Sequence, residues 1–447
     1  MSQSRENPTK SPTAPLKLTA SAVNYLLKIL PKGTAYCIGI VLVVMMTGRL
    51  VQSKGSLARA VLPLVFHLKW GWHRVERAME RGKVPLDKMF ERAFSWCISN
   101  LPVEPVELGE KQREILAIDS STIARWRAKV GMDLLGKGFH HRAGKAIKAN
   151  IIAAVTSVVF ISGVRVGLVR QVRFGDSCEA AVAAVFKDLP KSKNHRLLVV
   201  DAGIATHQQF AAASDKDALL GRLRINGKLR CAPPPRPEQP GPGRPKKHGD
   251  ILHPGWDSPE IPPDEELVAM HLSGELRLRR WKHLHFEDFA DTVLDVVRID
   301  HPDYEKPLLL GTIARELTTE QIWLGYKHRS PVETNFYVAQ DSAGMEMPRA
   351  WTENAIKRRI SLAMLAGFLL KAITLRVPAS LIAANCKPLP IGPWDLRPQP
   401  TPGRLTNYLD IHIHNFVALA LAGVKSRNYQ KIQNPQKSKD LPFPDAA

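Results

Sequence analysis

The chain has 447 residues, 44% of them hydrophobic and 23% charged, a balance that fits a globular protein of two or three domains and excludes a disordered tail protein. Its 63 Lys plus Arg against 42 Asp plus Glu leave a formal charge of +21, spread along the chain. That excess favours a polyanionic partner and by itself leaves DNA, RNA and anionic membrane surfaces open.

Residues 1–17 are polar, proline-containing and without periodicity, so a disordered tail is expected. From 18 to 108 the pattern is helical, and a helical DNA-binding or dimerisation domain is expected there. Its apolar run YCIGIVLVVMM (36–46) is shorter than the roughly 20 residues of a membrane span and lies too far along for a signal peptide, so it reads as a buried helix. Arg74, Arg77 and Arg81 share one helical face, suited to a phosphate backbone or simply solvated beside Glu76 and Glu80. Near residue 113 the texture changes to strands: EILAID, AIKANIIAAVTSVVF and RVGLVRQVRF, then a helix CEAAVAAVFKDL, then the strands RLLVVD and ALLGRLRI. This outlines a mixed α/β sheet over 109–226.

Residues 233–249, PPPRPEQPGPGRPKKHG, must be irregular and exposed. They open a β-rich stretch (227–325) with strands in ELRLRRWKHLHF, DTVLDVVRI and PLLLGTI, before helical signals resume at LTTEQIWLGY, VETNFYVAQ and NAIKRRISLAMLAGFLLKAI. The helical stretch 326–376 returns to the core, and 377–447 is proline-rich and basic with one helical piece, NFVALALAGV. Cys37, Cys97, Cys178, Cys231 and Cys386 lie far apart, with no Cys-x-x-Cys pair, which points to a reducing cytoplasm.

Three carboxylates carry the chemistry. EILAIDSST and RLLVVDAGI each end an apolar run in an aspartate, Asp119 and Asp201, placed at a strand end where a ligand or metal can approach. Alone, each is better explained as a turn or helix cap. Glu333 lies in YKHRSPVETNFYVAQD, where Ser330 and Glu333 have capping-box spacing, so capping and metal binding compete for it. Val332, Phe336, Ala339 and Ala343 give that helix an apolar face, with Glu333, Tyr337 and Gln340 beside it. Three clustered acids would repel one another unless divalent cations neutralised them, and hard oxygen ligands suit Mg²⁺ or Mn²⁺. Tyr326 and Arg329 precede the helix as a hydroxyl and a guanidinium suited to a phosphate.

These residues resemble the DDE transposases of bacterial insertion sequences, in the branch with a Tyr-(2)-Arg-(3)-Glu-(6)-Lys signature. Tyr326, Arg329 and Glu333 match it, and Gln340 stands where the pattern has lysine, which puts strand affinity or activity in question. The resemblance implies an RNase H-like core interrupted by an inserted β-rich domain, covers about residues 110–375, and makes Asp119, Asp201 and Glu333 the catalytic metal ligands for two Mg²⁺ or Mn²⁺ ions. It further implies cleavage at terminal inverted repeats and strand transfer to target DNA, Tyr326, Arg329 and Gln340 at the DNA, a homodimer in the synaptic complex, and a cytoplasmic, DNA-associated protein without membrane contact. Arg349, Lys357, Arg358 or Arg359 are candidates to replace the missing lysine.

PGRPKK (242–247) resembles an A·T minor-groove hook, which would make Arg244, Lys246 and Lys247 DNA contacts; a solvated linker is the competing identity. Trp126 is expected to pack, with stacking on a flipped base as the alternative. His140, His141, His412 and His414 lack zinc spacing and are expected as ordinary polar residues or phosphate contacts. Two other functions remain open: a catalytically inactive DNA-binding relic or repressor, and a metal-dependent nuclease on the same fold.

Overall fold

The computed structural model describes residues 13–64, 72–126, 128, 133–140, 144–189, 192–233, 247–257, 259–347, 349–378, 380–381 and 401–424. The chain forms two compact units, one of Met1–Leu101 with Val338–Ala447 and the other of Pro102–Tyr337. Arg244, Lys246, His141, Cys386 and residues 1–12 lie outside the described residues.

The first unit is helical. Helix Lys32–Met46 is apolar all round and buried from Ala35 to Met46, as its sequence requires. Around it stand helices Ala14–Leu27, His73–Arg81, Glu353–Thr374 and Ile413–Ala420, and helix Leu86–Asn100 packs on the first and third of these, Ala14–Leu27 and Glu353–Thr374. The N-terminal helices thus complete their core with helices from the far end of the chain: a Cβ on Gly39 would strike both Leu27 and Leu421 at under 3 Å. Arginines tie the layers together, Arg358 donating to the carbonyl of Met79 (2.6 Å) and Arg359 to that of Gly55 (3.1 Å). Among the described residues no helix is long and apolar enough to cross a membrane.

The second unit is built on a mixed sheet of 14 strands. Strand β1 (Val103–Pro105) and strand β2 (Glu107–Leu108) are short; β3 (Arg113–Ala124), β4 (Gly136–His140), β5 (Lys145–Ile161) and β6 (Val164–Gly175) follow. Helix Cys178–Lys187, capped by Ser177, leads to β7 (Arg196–Val200), and helix His207–Ala212 leads to β8 (Asp217–Leu223). The order β6-β5-β3-β7-β8 has β5 antiparallel to both neighbours and β3, β7 and β8 mutually parallel. Every residue of β7 is buried, which is why RLLVV reads as an unbroken apolar run after its arginine.

Beyond β8 the strands β9 (Leu229–Arg230), β10 (Ile251–Leu252), β11 (Glu265–His271), β12 (Gly274–Phe286), β13 (Phe289–Asp300) and β14 (Leu308–Thr312) continue the same sheet, with β14 returning antiparallel to β8. The 227–307 strands are therefore hydrogen-bonded into the central sheet. Strands β4 and β11 are not separated in the sequence pattern. Neither reads as an alternating apolar strand, since β4 carries two glycines and β11 is half-exposed along its length.

Candidate active site

The two aspartates meet because parallel strands keep register. The last β3–β7 pair is Ile118 with Val200, so the next residues, Asp119 and Asp201, emerge side by side where the pairing opens. The last β7–β8 pair is Val200 with Gly221, which brings Arg222 into the same row. Asp201 ends its strand as its position implied, and its carbonyl accepts from the amides of Ile204 (2.9 Å) and Ala205 (3.0 Å). That turn lies against Gly221, where a Cβ would stand 2.5 Å from the Ala205 Cβ. Asp119 differs from the expectation of a strand end: β3 runs on to Ala124, held by β5 through the pair Asp119–Ala154 and beyond. Its carboxylate is instead exposed to the opening because β7 stops.

Glu333 is brought in by helix Ser330–Asp341, which follows helix Thr319–Lys327 after a single tight turn. The helix begins at Ser330 itself, and the backbone of 325–332 turns continuously, with His328 N bonded to Gly325 O and Val332 N to Arg329 O. The Glu333 side chain accepts from Arg329 Nη2 at 2.6 Å. The expected apolar stripe is found, with Val332, Phe336, Ala339 and Ala343 all buried. Asn335 is buried as well and donates to the carbonyl of Gly167 on β6 (3.1 Å), pinning the start of the helix to the sheet.

Arg329 is the hinge of the site: Nη1 donates to Asp119 Oδ2 (3.2 Å) while Nη2 holds Glu333. Tyr326 donates its hydroxyl to Asp201 Oδ1 (3.1 Å), and Arg222 Nη1 stands 3.9 Å from the same oxygen. Tyr326 and Arg329 thus engage the carboxylates directly. Ser120 N donates to Asp119 Oδ1 at 2.8 Å.

The balance of charge in this cluster is unfavourable to the anions. Burial, reinforced by Glu333 and Asp201, pushes Asp119 up to about 6 in spite of Ser120 N and Arg329. Burial and the neighbouring Asp201 raise the Tyr326 hydroxyl far above its usual range. Burial alone would lower Arg329, but Tyr326 and the three carboxylates outweigh it and hold its proton more firmly. A donor set of three carboxylates with no nitrogen or sulfur fits a hard divalent cation, and the raised Asp119 marks the anionic charge that such an ion would offset. The three acids are not drawn tightly together here, because the Arg329 guanidinium lies between Asp119 and Glu333.

Among the described residues, the one group of metal-ligating side chains with donor atoms within 4.8 Å of one another is His271, His301 and Asp303. Sequence spacing gave no sign of it. Local contacts account for the group: His271 Nδ1 accepts from Ser273 N (3.4 Å), His301 Nδ1 from Asp303 N (3.2 Å), and the His301 ring stacks on Tyr304 at 4.6 Å.

Gln340 lies two turns beyond Glu333 on the same helix and is half-buried. Of the cations considered as its replacement, Arg358 and Arg359 are buried against backbone carbonyls and Lys357 pairs with Glu353, which leaves Arg349 exposed. Lys247 is exposed at the edge of the described residues. Trp126 is 62% exposed, so the packing role expected for it is corrected: it follows β3 at the point where the strand leaves the sheet. Arg222 was not singled out from sequence; its signal is its place one residue past the buried run of β8, matching Asp119 and Asp201 past theirs. A scan against protein-family models finds no match for the chain, and a search of curated proteins finds none either.

Proposed function

We propose that this chain is a DDE transposase with an RNase H-like core, acting on double-stranded DNA at transposon ends. The observation that carries the reading is the convergence of Asp119, Asp201 and Glu333, from two parallel strands and one helix, around Arg329 and Tyr326. The sheet order β6-β5-β3-β7-β8 supports the RNase H-like assignment. The net charge of +21 supports a polyanionic substrate.

In this reading Asp119, Asp201 and Glu333 would hold two Mg²⁺ or Mn²⁺ ions. When bound, these ions supply charge neutralisation and an activated oxygen for in-line attack on a phosphodiester. Tyr326 orients Asp201 through its hydroxyl. Arg329 is the exchangeable partner: released from Asp119 and Glu333, its planar fork suits a phosphate of the DNA backbone. Arg222 adds a cation beside Asp201 on the same row.

The test is cleavage and joining of labelled DNA carrying the element's own ends with Mg²⁺ or Mn²⁺, comparing the wild-type chain with Glu333→Ala. Product from wild type alone, with end binding kept by both proteins, supports the reading. Binding by both with cleavage by neither favours the second reading, a DNA-binding relic, for which the specific observation is Gln340 at the lysine position. Cleavage without joining to a target duplex makes the chain a nuclease.

A further inference from the structure

The hairpin of β4 and β5 carries two exposed lysines directly opposite each other, Lys137 and Lys148. Like charges at facing positions of an antiparallel pair are destabilising. Neither lysine has an ion pair among the described residues. Next along the ladder, Phe139 is 55% exposed opposite the exposed Ala146. Lys145, three residues from Lys148, is exposed at the turn end of β5 and alternates to the opposite face, so the lysine pair and Phe139 alone define this surface. Two unpaired cations beside an exposed aromatic on one face make a surface for a nucleic-acid backbone.

Register ties this surface to the carboxylates. Asp119 faces Ala154 of β5, and side chains alternate along a strand, so Lys148, six residues away, stands on the same face of β5 as the Asp119 partner position. Lys137 and Phe139, opposite Lys148 and Ala146, share that face. Between the two regions the sheet is covered, since Asn150 is buried and donates to the carbonyl of Leu134 (2.7 Å). Six residues at ~3.3 Å each place the lysine pair ~20 Å from the carboxylate row. At ~3.4 Å per base step this corresponds to about six base pairs of duplex.

We propose that the β4–β5 hairpin is a backbone clamp for duplex DNA, gripping phosphates with Lys137 and Lys148 about six base pairs from the strand held at the carboxylates. The location along the DNA rests on the reading of Asp119, Asp201 and Glu333 as a DNA-cleaving site; the binding itself does not.

The experiment measures binding of the full chain to a fluorescein-labelled random-sequence duplex by anisotropy across a salt series. Wild type is compared with the double variant Lys137→Glu, Lys148→Glu and with Phe139→Ala. A control of equal charge change, Arg277→Glu with Lys282→Glu, alters cations already paired with Glu275 and Glu265. The double variant is expected to bind at least tenfold more weakly at low salt, and the slope of log affinity against log salt is expected to fall by about 2. Phe139→Ala is expected to lose severalfold affinity with the slope kept. Circular dichroism and thermal melting establish that each variant is folded; should the reversals melt early, Lys137→Gln with Lys148→Gln gives the same slope test.

Equal affinity for wild type and double variant, an equal loss in the Arg277/Lys282 control, or no binding by wild type would overturn the clamp. If the clamp effect is seen while wild type cleaves no DNA under any metal condition, the hairpin assignment stands and the catalytic reading fails. If wild type cleaves, hydroxyl-radical footprints should lose a protected patch about six base pairs from the cut in the double variant; loss at the cut itself instead would overturn the placement.

Discussion

Two places in the sheet unit use the same chemistry to opposite ends. At β12 and β13, the buried Arg280 is matched: it donates to Asp295 through Nε (3.1 Å) and Nη2 (2.5 Å) and to the carbonyls of Leu317 (2.8 Å) and Arg315 (3.0 Å). The other Asp295 oxygen accepts from His283 N at 3.1 Å. At the mouth of β3 and β7, by contrast, one guanidinium is divided between Asp119 and Glu333 while Asp201 leans on a tyrosine hydroxyl. The first arrangement satisfies every charge and fixes strands. The second leaves excess negative charge in a partly buried place, which is the condition for binding a cation or a developing positive charge.

The largest effect expected from this contrast is on activity. Asp119→Ala, Asp201→Ala or Glu333→Gln should lower metal-dependent DNA cleavage on the order of a thousandfold or more while the chain stays folded. Asp295→Ala should do the reverse, costing about 3–5 kcal/mol of stability because it strands a buried Arg280 charge. Chemical denaturation beside a cleavage assay checks both; equal destabilisation by Asp119→Ala and Asp295→Ala would erase the contrast.

A second effect concerns pH. Asp119 is raised in the folded protein from an ordinary value of 3.8 to about 6, so the folded state holds that proton more tightly than the unfolded chain does. The stabilisation is present below about 4 and is lost as pH rises through about 6, amounting to at most ~3 kcal/mol. Metal-free wild type should therefore lose stability across that window, and Asp119→Asn should not. Saturating Mn²⁺ at neutral pH should raise the melting temperature of wild type and leave that of Asp119→Asn unchanged, a gain of about 2.7 kcal/mol at a hundredfold excess over the dissociation constant.

How much of this is legible in the sequence depends on range. The runs ending in Asp119 and Asp201 are readable because an apolar strand followed by an acid is a local pattern. The helix of Glu333 is readable from its buried stripe. The continuation of β3 past Asp119 is not, since SSTIA reads as polar until β5 is there to pair with it. Nor is the role of Arg329, which rests on a contact with Asp119 across a long stretch of chain. The helical unit, closed by Leu421 against Gly39 and Leu27, is hidden for the same reason: each helix shows an apolar face, and nothing local says which face completes it.

Smaller effects follow at the supports of the site. Gly167→Ala would place a Cβ 2.3 Å from Thr156 Cγ2 and 2.8 Å from Asn335 Nδ2, pushing on the helix that presents Glu333. The expected cost is about 1–3 kcal/mol with a larger relative loss of cleavage than of DNA binding. Gln340→Lys should give the smallest change, a severalfold gain in DNA affinity that fades as salt rises; a gain that persists at high salt would separate that position from the phosphate backbone.

The most direct test of the central claim is anomalous diffraction from crystals of the full chain soaked in Mn²⁺. The account predicts peaks at Asp119 and Asp201, with Glu333 turned toward them and Arg329 displaced. A strong peak at His271, His301 and Asp303 with none at the carboxylates, or no peak while Arg329 keeps its bonds to Asp119 and Glu333, would contradict it.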